Sequence, residues 1–112
     1  MKQTINQALL KGVDAQKAGK LNDAEKIYQA ILIVKPNNYA ALSNLGVLLY
    51  TLGRLDEAKI CYIKLISQNL NNSDAHCNLG VILQELNELE DSESSFKKAI
   101  ELKPDYEMAY NN

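Results

Sequence analysis

Residues 42–62, LSNLGVLLYTLGRLDEAKICY, hold the pattern that decides the fold. The first half carries apolar residues spaced by three and four, which predicts one face of a helix. These residues are Leu42, Leu45, Leu49 and Leu52. Gly53 follows at the place of a C-terminal cap, and Ala58 and Tyr62 belong to a second apolar face. The stretch therefore predicts two helices joined by a tight turn, with Asp56 as the N-cap of the second helix.

The same pattern recurs every 34 residues along the chain. The segment NLGV stands at 44–47 and again at 78–81. Glycines and aromatic residues keep the same step, as shown by Gly12, Gly46 and Gly80 and by Tyr28, Tyr62 and Phe96. So many positions in phase indicate an internal repeat. The predicted units are residues 5–38, 39–72 and 73–106, and residues 107–112 begin a fourth.

Small residues explain how the two helices of one unit pack together. Gly46 and Ala58 allow the helices to cross closely, and Tyr62 fills the space beside the crossing. Helices of about 14 residues are roughly 20 Å long. One such pair cannot bury both of its faces, so neighbouring pairs must stack on each other.

The repeat resembles the tetratricopeptide repeat family in its period and in its order of Leu-Gly, Ala, Tyr or Phe, and Pro. Departures are Lys11, which replaces the leucine of the other units, and Ser92, which replaces the small alanine. The resemblance covers essentially the whole chain. It implies an all-α fold: a right-handed superhelical α-solenoid of stacked antiparallel helix pairs, forming a single domain over residues 1–112.

The two ends of the array differ in sequence. Lys11 occupies the repeat position of Leu45 and Leu79, which should pack against a preceding unit. A polar residue there favours unit one as the outer end of the array. The alternative is a tolerated substitution. No polar capping helix closes the other end, so we expect a fragment of a longer protein and homo-association through the uncapped C-terminal face. Residues 1–38 carry a net charge of +3 and residues 73–112 a net charge of −6. These opposite charges favour head-to-tail contact between copies of the chain. The simpler alternative is that the acidic residues form a solvated helix end.

Composition excludes several classes of protein. A net charge of −2 leaves no basic surface for nucleic acid. The apolar runs are too short to span a bilayer, and the first twenty residues do not have the pattern of a signal peptide. The two cysteines make no CxxC motif. We therefore expect neither nucleic-acid nor membrane binding, and a reduced, cytoplasmic location.

The sequence offers no catalytic, metal or cofactor site. His76 is the single histidine and stands in a packing position. Cys61 and Cys77 have no neighbours that would lower a thiol pKa. The acidic residues 88–93 lack the glycine and the ligand spacing of a calcium loop, and there is no glycine-rich phosphate loop. We expect a protein that is not an enzyme and that carries no cofactor.

The first helices of such an array line its concave side, and their non-packing residues are the candidate binding residues. These candidates are Asn44, Asn78, Asn112, Ser43, Val47, Val81, Tyr50 and Gln84. An asparagine amide can both donate to and accept from a peptide backbone. The asparagine row resembles the ladder of superhelical tetratricopeptide arrays such as the O-linked N-acetylglucosamine transferases. Leu10 interrupts the row in unit one. The alternative is that these asparagines only tie helices together or face solvent.

A second binding mode of the family does not fit. Tetratricopeptide clamps for acidic chaperone tails use lysine, arginine and asparagine at set positions. Of those positions only Asn44 matches, and Asp74 has the wrong sign for a carboxylate. The valine row and Tyr50 favour a neutral or mildly apolar partner segment.

Three functions agree with this sequence. The leading one is a non-catalytic protein–protein interaction module that binds a peptide or partner segment in the concave groove. The second is an N-terminal targeting or substrate-recruiting arm of a larger transferase, for example a glycosyltransferase. The third is a self-associating scaffold whose partner is another copy.

Overall fold

The computed structural model describes residues 3–105, which form six α-helices and no strand. The helices are α1 (Ile5–Lys17), α2 (Leu21–Val34), α3 (Tyr39–Thr51), α4 (Leu55–Gln68), α5 (Ser73–Glu85) and α6 (Leu89–Leu102). Consecutive helices pack on each other throughout the stack. The predicted all-α solenoid of stacked antiparallel helix pairs is confirmed. Residues 107–112, the predicted start of a fourth unit, lie outside the described residues.

Left-handed residues make the turn inside each pair. Gly53 has φ +77° and Gly19 has φ +79°, while Asn87 takes the same role with φ 64°. At Gly53 the next amide, that of Arg54, donates to the carbonyl of Leu49 at 2.9 Å, and the Gly53 amide donates to the carbonyl of Tyr50 at 3.0 Å. These two bonds satisfy the last carbonyls of α3. The predicted helix–turn–helix unit is thus closed by backbone bonds.

The prediction of Asp56 as an N-cap is wrong. Because the turn after Gly53 is so tight, Arg54 is the N-cap residue and α4 already begins at Leu55. No side chain caps this helix, and Asp56 lies in its first turn. There its carboxylate faces the positive end of the helix dipole, which is favourable. Side-chain caps occur instead on the first helices of the pairs, at Thr4, Asn38 and Asn72.

The core consists of a large cluster of buried and partly buried side chains that runs from α1 to α5, and a smaller cluster of Cys77, Phe96 and Ala99 in the third pair. Each pair brings a glycine of its first helix against an aromatic ring of its second. A Cβ atom built on Gly46 would lie 3.0 Å from the ring of Tyr62, and one on Gly80 would lie 2.8 Å from that of Phe96. Ser92, the departure from alanine, is buried and donates to the carbonyl of Gly80 at 2.8 Å.

Two ion pairs join neighbouring helix pairs. Arg54 reaches back to Glu25 with 2.6 Å between Nη1 and Oε1, and also binds Glu57. Lys59 binds Glu88 of the next pair at 2.9 Å. Glu25 and Lys59 occupy the same repeat position, as do Arg54 and Glu88. The second junction therefore has the same geometry as the first, with the charges exchanged.

The outward side of α1 is polar where the corresponding sides of α3 and α5 are buried. Lys11 is exposed, whereas Leu45 and Leu79 are buried. Gln7 and Asp14 are exposed too, at positions where the later helices carry buried Ala41, Ala75, Leu48 and Ile82. Lys11 is thus one of three polar residues on this side of the stack.

Candidate functional site

A cavity of about 220 Å³ opens between α3 and α5, and we name it the α3–α5 pocket. Its lining residues are Val47, Tyr50, Tyr62, Asn78, Val81 and Ile82. Four of these were predicted from their repeat positions as binding residues. Val47 leaves 45% of its surface exposed at the pocket, and Tyr50, Asn78 and Val81 are half-buried. The structure thus brings half of the predicted site together in one hollow.

Two pocket residues escaped the sequence reasoning. Tyr62 was assigned only to the helix crossing in its own pair, yet its side chain also lines the pocket formed with the next pair. Ile82, four residues after Asn78, is buried and contributes to the lining. The signal for both was the stacking itself, because a second helix of one pair must contact the first helix of the next.

Asn44 and Asn78, the two described asparagines of the row, each stand beside a buried tyrosine of the preceding pair. Burial raises the pKa of Tyr62 to about 12, and a hydrogen bond with the Asn78 amide counteracts this in part. Burial likewise raises the pKa of Tyr28, and Asn44 lowers it. Each amide therefore contacts a tyrosine of the neighbouring pair. Both asparagines remain half-buried rather than buried.

Gln16 and Tyr50 share one repeat position but form hydrogen bonds with different partners. Gln16 accepts a hydrogen bond from the Tyr28 hydroxyl at 2.9 Å, within its own pair. Tyr50, the matching residue of α3, donates instead to Glu85 of α5 at 3.0 Å. Burial and the neighbouring Glu85 carboxylate raise the pKa of Tyr50. Tyr50 is thereby held as one wall of the α3–α5 pocket.

The remaining predicted residues lie elsewhere. Ser43 and Asn44 are half-buried on α3 outside the pocket lining. Gln84 lines a different cavity of about 380 Å³, on the far side of the third pair with Leu89 and Phe96. Asn112 lies outside the described residues. Leu10, which interrupts the asparagine row, is 65% exposed on α1.

The single histidine and the two cysteines are engaged in a structural hydrogen bond or in packing. The His76 Nε2 atom lies 3.0 Å from the carbonyl oxygen of Leu70. Cys61 and Cys77 are buried, and burial raises the pKa of the Cys61 thiol. Over residues 3–105, no three side chains of the His, Cys, Asp and Glu types gather in a way that could hold a metal ion. None of the six described helices has the length and apolar character needed to cross a membrane.

Comparison with known proteins agrees with this architecture. Two family models, both described as tetratricopeptide repeat, match residues 9–60 and residues 73–106. No curated protein matched the sequence significantly. A solved O-GlcNAc transferase mutant from Thermobaculum terrenum is 27% identical, with TM-score 0.81, over 98% of this chain and 22% of the transferase chain.

Two further solved structures are similar in fold. MamA of AMB-1 is 25% identical, with TM-score 0.88, over 96% of this chain and 58% of the MamA chain. The present chain spans less than two thirds of the MamA structures it matches. The first repeat domain of Spaghetti (RPAP3), solved with the HSP90 peptide SRMEEVD, has TM-score 0.88 over 99% of this chain and 88% of its own, and at 22% identity it shares the fold alone. With its six stacked helices and both family models in agreement, the chain belongs to the tetratricopeptide repeat family.

Proposed function

We propose that this chain is a non-catalytic protein–protein interaction module. A peptide or partner segment lies along the groove formed by α1, α3 and α5 and is held by Asn44 and Asn78. The observation that carries the proposal is the α3–α5 pocket, where apolar side chains, with Val47 exposed among them, surround a half-buried amide. Apolar hollows with a few polar groups are the usual form of binding sites.

The amides have capacity left after their contacts with tyrosine. An asparagine side chain offers two donor hydrogens and an oxygen that accepts twice. The Tyr62 hydroxyl engages one of these groups on Asn78, and the Tyr28 hydroxyl one on Asn44. The others are able to bond the backbone of an extended segment, which presents donors and acceptors whatever its sequence.

The charge of the chain fits a protein partner rather than a nucleic acid. The net charge is −2, and the pocket lining contains no charged side chain. A polyphosphate backbone needs a basic surface, whereas a neutral or mildly apolar segment does not. A cytoplasmic location, expected from two cysteines that make no CxxC motif, forms part of the same proposal.

The test uses the full chain and a phage-displayed library of random linear peptides. Asn44→Ala combined with Asn78→Ala should weaken a selected peptide by about tenfold, because each lost hydrogen bond contributes about 0.5–1.5 kcal/mol. The matched control is Asn22→Ala with Asn37→Ala, two exposed asparagines outside the groove. Circular dichroism checks that helicity is intact. Unchanged affinity in the groove variant would refute the role of the asparagine row.

A transferase arm is the second candidate function. The similarity to the O-GlcNAc transferase structure covers nearly all of this chain but only 22% of that chain. The chain would then recruit substrate proteins to a catalytic domain on the same polypeptide. The sequence encoded after residue 112 tests this directly, since a transferase domain there supports it and a stop codon contradicts it.

Self-association is the third candidate function. Leu89 is 57% exposed beside the cavity formed with Gln84 and Phe96. The corresponding Leu21 and Leu55 are half-buried against the core, so Leu89 lacks a cover among the described residues. Sedimentation equilibrium of the chain and of Leu89→Lys, at low and high salt, decides the matter. A monomer at all concentrations would rule this function out.

A further inference from the structure

We propose that the α3–α5 pocket receives a single aromatic ring from the partner segment, from a residue that has a basic residue next to it in the segment. This inference rests on the proposed function, because it names the side chain that a bound segment would place in the groove. It follows from the volume of the pocket, from the nature of its walls and from the carboxylate next to it.

The volume suits one six-membered ring. The pocket measures about 220 Å³. Apolar cavities of about 150 Å³ are large enough to bind benzene. A ring with its methylene therefore fits, whereas an alanine or valine side chain would leave most of the space without contacts. Unfilled apolar space forfeits dispersion contacts, so the larger side chain is favoured.

The walls are chemically matched to a ring. Two tyrosines, Tyr50 and Tyr62, supply aromatic surfaces, and methyl groups of Val47, Val81 and Ile82 complete the lining. Aromatic pairs in offset or edge-to-face contact gain about 0.5–1.5 kcal/mol beyond the burial of their area. An aliphatic side chain of similar size does not make that contact. The walls thus discriminate between phenylalanine and leucine.

The tyrosine wall is fixed in place. The Tyr50 hydroxyl donates to Glu85 at 3.0 Å, so the ring is anchored at both ends, on α3 by its backbone and on α5 by this bond. At the junction between the first and second pairs the matching residue is Gln16, whose side-chain oxygen already accepts a hydrogen bond from the Tyr28 hydroxyl. That junction offers no second tyrosine wall. Among the described residues, the ring site is therefore particular to α3 and α5.

The neighbouring charge selects the flanking residue. Glu85 is exposed and lies next to the pocket, where it contacts Tyr50 through one carboxylate oxygen. The pocket lining itself is uncharged. A lysine or arginine beside the aromatic residue would meet this carboxylate, while an acidic residue would be repelled.

Three blocked dipeptides serve as probes with the full chain: acetyl-Phe-Lys-amide, acetyl-Leu-Lys-amide and acetyl-Phe-Glu-amide. Binding is followed by the methyl NMR signals of Val47, Val81 and Ile82 at low salt. We expect Phe-Lys to bind about fivefold more tightly than Leu-Lys, from the aromatic contacts. We expect it to bind about threefold more tightly than Phe-Glu, from the exposed charge pair. Equal affinity for Phe-Lys and Leu-Lys, or for Phe-Lys and Phe-Glu, would overturn the inference.

Variants of matched position complete the test. Val81→Trp fills the pocket and should abolish the shifts, whereas Val13→Trp, at the same repeat position on α1, should leave them. If Val81→Trp does not fold, as judged by circular dichroism, Val47→Trp replaces it on the exposed wall. Shifts that persist in the filled variant contradict the ring site.

The peptide library separates this inference from the proposed function. Selected peptides that carry an aromatic residue next to a basic one, and that lose affinity on Val81→Trp, support both. Selected peptides without a ring overturn the inference and leave the interaction module standing. A library that yields no binder counts against the module, while the dipeptide titrations still decide whether the pocket binds a ring.

Discussion

Gly12→Ala tests the close approach of the two helices in a pair. A Cβ atom at Gly12 would lie 2.6 Å from the Cε1 atom of Tyr28. The ring has nowhere to move, because Tyr28 is fully buried and its hydroxyl is bonded to Gln16. Forcing an extra methyl group into a packed core costs about 1–3 kcal/mol. The better helix propensity of alanine offsets about 1 kcal/mol of this cost. With so severe an overlap, we expect a net loss of about 1–2 kcal/mol.

Thermal unfolding followed by circular dichroism at 222 nm measures this loss. For a chain of this size, about 1 kcal/mol corresponds to roughly 4 °C, so Tm should fall by about 4–8 °C. The control is Ala30→Gly, the reverse exchange at an exposed position in α2, which reports propensity alone and should cost about 1 kcal/mol. A Gly12→Ala variant that melts at or above the temperature of the parent would show that the glycine is not required by the approach of Tyr28.

Three further predictions follow from the turn, the buried tyrosine and the ion pairs. Gly53→Ala should destabilise the chain by about 1–2 kcal/mol in urea unfolding, because φ is +77° there, and Gly53→Asn should cost less. Tyrosine has a pKa of about 10 when unfolded, and Tyr62 one of about 12 when folded, so the native state holds its proton more tightly and stability should fall as pH rises from about 10 to 12. Tyr62→Phe should flatten that loss in urea titrations across this range. Arg54→Glu should lower the urea midpoint, Glu25→Arg in the same chain should restore it, and high salt should reduce both effects.

The sequence predicted the architecture because the same physical demands recur in every unit. The periodic apolar faces, the glycine opposite the aromatic ring and the left-handed turn residue each leave a mark at 34-residue spacing. The start of α4 was mispredicted at Asp56, because sequence alone does not show that the turn after Gly53 is closed by backbone bonds and needs no side-chain cap.

The candidate site was predictable only in part, for a reason that lies in the stacking. Repeat positions indicate which residues of a first helix point away from its own pair, and this was enough to group Val47, Asn78 and Val81 in advance. Repeat positions do not indicate which neighbouring side chains cover those residues. Gln84 shares the repeat position of Tyr50, yet the described residues provide no following pair to form the opposite wall. The direction of the Tyr50 hydroxyl depends on Glu85, which no periodic signal marks.

The exchanged charges at the two junctions bear on how the units assemble into one linear order. A shuffled chain that repeated the second unit would place Lys59 opposite a second Arg54, and one that moved the third unit behind the first would place Glu25 opposite Glu88. Both permutations bring like charges together, whereas the natural order pairs opposite charges at both junctions. Hairpins of the same fold can swap places during synthesis or refolding, and the like charges penalise these two wrong neighbours.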